Sequence, residues 1–195
     1  KLAIVKKLDT MGIHYIEGGW PGANPKDSEF FEKVRDIQLT NSVITAFGST
    51  RRAKIDVEDD PNIQALINAR TAVVTLVGKS WDFHVSEILN TSSEENLDMI
   101  SDSVAYLKSK GRRVFFDAEH FFDGFKANEN YALQAVLAAV EAGAECVILC
   151  DTNGGSLPGE IARAVSSVKS VVSIPLGIHT HNDSDTAVAG ALAAV

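Results

Sequence analysis

Long apolar runs are missing from this sequence. None approaches the ~20 consecutive apolar residues that a membrane-spanning helix requires. No charged and apolar leader stands at the start, and the chain opens on Lys1 rather than on Met, which leaves targeting unread. Basic runs are missing as well. The 26 acids outnumber the 18 bases, for a net charge of -8. That balance argues against nucleic acid and anionic membrane as partners. Cysteine is scarce: only Cys146 and Cys150, four apart in an apolar stretch. On a strand that spacing spans about 13 Å, whereas a disulfide needs Cα atoms within about 7 Å. The two are expected to be free thiols in a reducing compartment, the cytoplasm; a metal role is the weaker alternative, because C-x3-C lacks the usual second half of a zinc site. No repeat, low-complexity segment or linker interrupts the 195 residues, and 45% hydrophobic content suffices for one core.

What is present is alternation. Leu2, Val5, Leu8 and Met11 share one helical face, and Gly12 ends it. A strand over 13–17 leads through a Trp-Pro and Asn-Pro loop to a helix expected to be capped by Asp27 or Ser28 and to run to Ile37. Strands follow at 42–48, 71–77, 113–118 and 145–150, the last before the apolar run that closes on Ile178. Helices opened by Pro61, the Thr91–Glu95 capping spacing, Asn128 and Pro158 separate them. Six strands alternating with helices indicate an α/β fold with a parallel sheet.

Every strand exit carries polar residues: Glu17, Ser49 and Arg51, Ser80 and His84, Asp117 and Glu119, Asp151 and Thr152, His179 and His181. A doubly wound sheet concentrates its site at one switch point, whereas a (β/α)8 TIM barrel gathers all strand ends round one mouth. Six polar exits favour the barrel. Six strands do not close one, so the chain is expected to be a single-domain piece, residues 1–195, covering strands two to seven. Strands one and eight and any C-terminal regulatory domain would lie outside it. Such a piece, with an open seam, is expected to be inactive and aggregation-prone by itself.

His179 and His181 stand at i and i+2 on a strand and aim two imidazoles at one spot, half of a divalent-metal site; the alternative is that one packs and the other is solvated. Asp117 and Glu119 share a face by the same rule. A carboxylate there binds metal, orients substrate, acts as a base, or is buried against an arginine from a neighbouring strand end. Asp151-Thr-Asn-Gly-Gly155 offers a backbone nest for an anion, although a Gly-Gly turn accounts for it equally. Arg51 and Arg52 read as a solvated loop pair, and His14 as a structural residue away from the mouth.

Four blocks, 16–27, 117–124, 149–155 and 177–183, together resemble the 2-isopropylmalate, homocitrate and citramalate synthases, a group of metal-dependent barrels that also contains hydroxymethylglutaryl-CoA lyase. The wording is most similar to the (R)-citramalate synthase branch. The resemblance implies an acyltransferase that condenses acetyl-CoA with a 2-oxo acid, pyruvate by preference, in branched-chain amino-acid synthesis, and a homodimer of the complete protein. It implies metal ligation by His179 and His181 with Mn, Mg or Zn, a catalytic role for Glu119 beside the keto acid, and substrate contacts from Thr152, Asp117 and His84. The family's first-strand arginine and aspartate have no match here. The alternatives are 2-isopropylmalate or homocitrate synthesis, a carbon–carbon lyase, and a non-catalytic barrel piece.

Overall fold

Helix starts set the frame, and each has a local cause. In the computed structural model, which describes residues 1–195, α1 spans Leu2–Thr10 and is followed by strand β1, Tyr15–Glu17. Helix α2, Pro25–Val34, starts earlier than expected and also ends earlier. Asn24, not Asp27 or Ser28, caps it, with its side chain accepting from the Asp27 N–H at 3.0 Å, and Pro25 takes the first helical position. Strand β2, Val43–Ser49, leads to α3, Pro61–Asn68. There the buried Asp60 carboxylate accepts from the backbone of Asn62 and Ile63 at 2.8 and 3.1 Å.

Strand β3 covers Val73–Lys79, then α4, Asp82–Glu87, and α5, Ser93–Ser109, which Ser92 caps through the Glu95 N–H. Strand β4, Arg113–Glu119, is followed by α6, Phe121–Ala127, and α7, Glu129–Glu141. Strand β5, Cys146–Asp151, α8, Pro158–Val171, β6, Leu176–Thr180, and α9, Ala187–Ala194, complete the chain. Helices α4 and α6 stand where only polar strand exits are expected from the sequence. Both are too short to announce a periodicity. Helix α6 is held by burial of Phe121, Phe122 and Phe125, each worth roughly 1.5–3 kcal/mol.

All six strands are parallel and hydrogen-bond in sequence order, β1 to β6. A doubly wound sheet would reverse that order, so this is an arc of a β/α barrel. Along each central strand the side chains alternate. Val74, Leu76, Val114, Phe116, Val147 and Leu149 are fully buried beneath the helices. The residues between them, Thr75, Val77, Phe115, Asp117 and Ile148, face the concave side and line a cavity of about 710 Å³. The outer strands β1 and β6 each pair on one side only. No helix is long and apolar enough to cross a membrane. Both cysteines are free, Cys150 buried and Cys146 half-buried.

Candidate active site

The concave face gathers five of the six site residues named from the sequence. Asp117, Glu119, Thr152, His179 and His181 all line the one cavity, with Glu17 opposite them. The sixth, His84, is not brought there. It sits on α4 behind the rim, its ring 4.7 Å from Trp81 and 4.4 Å from His120, with Nδ1 buried and unpartnered. Burial, then the neighbouring His120, hold its pKa below the ordinary histidine value. The cavity is polar along β4 to β6. Across β2 and β3 its wall is Thr45, Phe47, Thr75 and Val77, weakly polar to apolar.

His179 and His181 project from adjacent same-face positions of β6 and the residue after it, with ring centroids 4.9 Å apart. His181 Nδ1 lies 2.8 Å from the Thr152 carbonyl. A carbonyl only accepts, so Nδ1 carries the proton and Nε2 keeps its lone pair. This is the outer-shell arrangement of metal-binding imidazoles, whose second nitrogen is anchored to a carbonyl or carboxylate. The two histidines therefore fit the half-site expected of them.

Thr152 has a second anchor. Its hydroxyl oxygen accepts from the His120 N–H at 2.9 Å. His120 can reach because its backbone is left-handed, with φ of 53° at the turn from β4 into α6. Its ring meets Asp123 at 3.1 Å, and Asp123 also accepts from Asn153 at 3.0 Å. Three consecutive strand exits are thus stitched together, with Thr152 between two of them. Since the hydroxyl oxygen accepts one bond from protein, its own proton is left to donate.

The two carboxylates on β4 differ. Glu119 is ion-paired with Lys79 at the end of β3. A buried-cation partner was the structural alternative for this position; the partner is a lysine rather than an arginine, and the pair stays partly open to the cavity. Asp117, two residues deeper, has no such partner. Burial, reinforced by the charge of Glu17, pushes its carboxyl up to about 7. One strand face so carries an anchored carboxylate and a carboxyl that shares its proton near neutrality.

Two expectations change. Arg51 is not a solvated loop residue: it is 6% exposed, bonded to Glu95 at 2.8 Å and to Asp102 at 2.8 Å, and it pins the β2 exit onto α5. The Asp151–Gly155 segment is not an open anion nest. The buried Asp151 carboxylate accepts from Ser156 N–H and hydroxyl. Gly154, with φ of 62°, is where the β6 exit packs against the β5 exit; a Cβ there would lie 2.4 Å from Asp183. Cys150 as a cavity residue and Lys79 as the partner of Glu119 went unnoticed, although counting by two from Ile148 and from Val77 reaches both. His120 gives no signal in the sequence, since a backbone bond leaves no trace in residue type.

A β/α barrel with a candidate metal site at its strand ends is the class these features define. The chain belongs to the HMGL-like family, whose model matches residues 1–195. It is 54% identical over 195 residues to an (R)-citramalate synthase of Geobacter sulfurreducens and 56% identical over 196 residues to one of Aquifex aeolicus. Each comparison covers all of this chain and 37% of the relative, so the chain spans little more than a third of the curated proteins it matches. A probable 2-isopropylmalate synthase of Methanopyrus kandleri is 35% identical over 195 residues, again over all of this chain and 37% of that protein. Among solved structures, a hydroxymethylglutaryl-CoA lyase from Pseudomonas aeruginosa superposes with a TM-score of 0.77 at 20% identity, covering 98% of this chain and 64% of that one. At that identity the likeness concerns the fold.

Proposed function

We propose that the protein carrying this chain condenses acetyl-CoA with pyruvate to give (R)-citramalate, and that these residues are strands two to seven of its catalytic barrel. The observation that carries the reading is the convergence of His179, His181, Thr152 and Glu119 on one cavity in a chain 54% identical to an (R)-citramalate synthase. His179 and His181 would hold a divalent cation, Mn, Mg or Zn, which when bound polarises the keto carbonyl as a Lewis acid. Thr152 presents its hydroxyl proton to a carboxylate oxygen of the 2-oxo acid. Glu119 stands beside the keto carbon, its orientation fixed by Lys79. Asp117, with a pKa of about 7, supplies a proton donor on the same wall near neutral pH. The acetyl methyl loses a proton, the enolate carbon bonds to the keto carbon, and hydrolysis of the thioester releases CoA as a free thiol. Two unpaired cysteines accord with a cytoplasmic site of action. Assembly as a homodimer belongs to the same proposal.

The test is thiol release from acetyl-CoA by the intact protein with Mn²⁺ or Mg²⁺. Release with pyruvate, and not with 2-oxoisovalerate, supports the reading. Release with the branched acid reassigns the protein to isopropylmalate synthesis. No release from a folded, metal-loaded protein returns the lyase and non-catalytic readings. His179→Ala is expected to lower bound metal and abolish turnover; full activity with unchanged metal content would refute the site.

A further inference from the structure

Cys150 has no part in the chemistry above, yet it faces the same cavity. It is 6% exposed, and its thiol donates to the Ile148 carbonyl at 3.8 Å, a weak contact. On one side β6 places His179 as its register partner. On the other, β4 brings Asp117. One ligand atom each from Asp117, Cys150 and His179 lie within 4.8 Å of one another. Three neighbouring strands so deliver an oxygen, a sulfur and a nitrogen to one point deeper than the His179–His181 pair.

We propose that Asp117, Cys150 and His179 form a second cation site, selective for thiophilic divalent ions such as Zn²⁺ or Cd²⁺, which shares His179 with the imidazole pair at the mouth. Bond lengths of about 2.0–2.3 Å to such ions put tetrahedral ligands roughly 3.3–3.8 Å apart. The present spacing needs a closure of about 1 Å, within reach of side-chain rotation. The fourth position opens on the cavity and is left to water. Thiolate sulfur favours Zn²⁺ and its heavier congeners, whereas Mg²⁺ and Mn²⁺ prefer an all-oxygen or imidazole–oxygen set. Binding breaks the Cys150 S–H bond, forms sulfur–metal, and sends the proton to solvent. Because His179 belongs to both sites, an ion held deep draws the ring from His181. A thiophilic ion there therefore acts as an antagonist of the cation at the mouth.

The test is a Cd²⁺ titration of the metal-free intact protein, read by the ultraviolet thiolate-to-cadmium charge-transfer band and by proton release. It requires no turnover, so it succeeds or fails independently of the substrate assignment. The expected result is a saturable band that Cys150→Ser removes and Cys146→Ser keeps. Asp117→Asn should raise the Cd²⁺ concentration for half-saturation about tenfold or more, which serves if the Cys150 variant does not fold. Added Mn²⁺ should raise it too, through competition for His179. A band unchanged in Cys150→Ser, an affinity unchanged in Asp117→Asn, or saturation indifferent to Mn²⁺ would each overturn the proposal.

Discussion

Gly124 lies where α6 crosses the exit of β3, and Gly124→Ala is the sharpest test of how the rim is built. A Cβ at this position would lie 2.4 Å from the Ser80 carbonyl oxygen, 3.0 Å from the Trp81 Cα and 3.1 Å from the Ser80 carbonyl carbon. All three are backbone atoms, so no flexible side-chain end can swing aside. Either α6 retreats, exposing part of Phe121, Phe122 and Phe125, or the 80–81 segment moves. Overpacking of this kind costs about 1–3 kcal/mol. For a domain of this size each kcal/mol lowers Tm by about 2–4 °C, so a fall of roughly 2–12 °C is expected by circular dichroism of the intact protein. The same displacement acts on chemistry. Ser80 donates to the Glu119 carbonyl from both its N–H and its hydroxyl, the latter at 2.7 Å, and Lys79 precedes it. Turnover should therefore fall more than thermal stability alone explains at a temperature where the variant stays folded. Gly159→Ala is the control. No atom lies within 4 Å of a Cβ there, inside α8, so it should be neutral or stabilising by about 0.4–1 kcal/mol. If Gly124→Ala melts and turns over with the wild type, the close crossing of α6 over β3 is wrong.

Two further outcomes follow from particular bonds. Thr152→Val removes a hydroxyl assigned to a charged carboxylate, an interaction of about 1.5–3 kcal/mol, so KM for the 2-oxo acid should rise about ten- to hundredfold while Thr152→Ser restores it; an unchanged KM refutes the contact. The Asp9 carboxylate accepts from the backbone of Asn41, Thr40 and Ser42, and these bonds, that of Asn41 foremost, hold its pKa below the ordinary value. A depressed folded-state pKa gives stability that is complete above the unfolded value of about 3.9 and is lost as pH falls through the folded one. Asp9→Asn should thus melt below the wild type at neutral pH, with the gap closing on acidification; a gap independent of pH would refute the assignment.

The strands and the barrel were legible because both rest on repeats of residue type: a period of two inside a parallel sheet, and polar residues at each exit. His179, His181, Asp117 and Glu119 were legible for the same reason, since i and i+2 share a face. What stayed hidden has a common physical origin. The anchoring of Thr152 runs through the backbone N–H of His120 and a left-handed φ, and neither depends on a residue type with a known signature. Arg51 looks like a loop residue because its partners, Glu95 and Asp102, come from α5, more than forty positions on. The short helices α4 and α6 form because the tertiary environment buries one side of them, and a six-residue stretch shows no period by itself. His84 carried the right residue type near the right strand end, yet one turn of helix was enough to move it behind the rim.

The order of the sheet has a kinetic consequence. Each strand hydrogen-bonds only to the strands before and after it in the chain, so every pairing is completed within a single strand–helix–strand unit. No strand must wait for a distant partner, and the entropy of closing each loop grows only slowly with its length. Such an arrangement suits assembly in the order of synthesis, each new unit docking on the one already formed. The polar rim follows the same schedule. Thr152 is made before His181, and Glu119 after Lys79, so each pair of functional side chains meets only when the later strand takes its place.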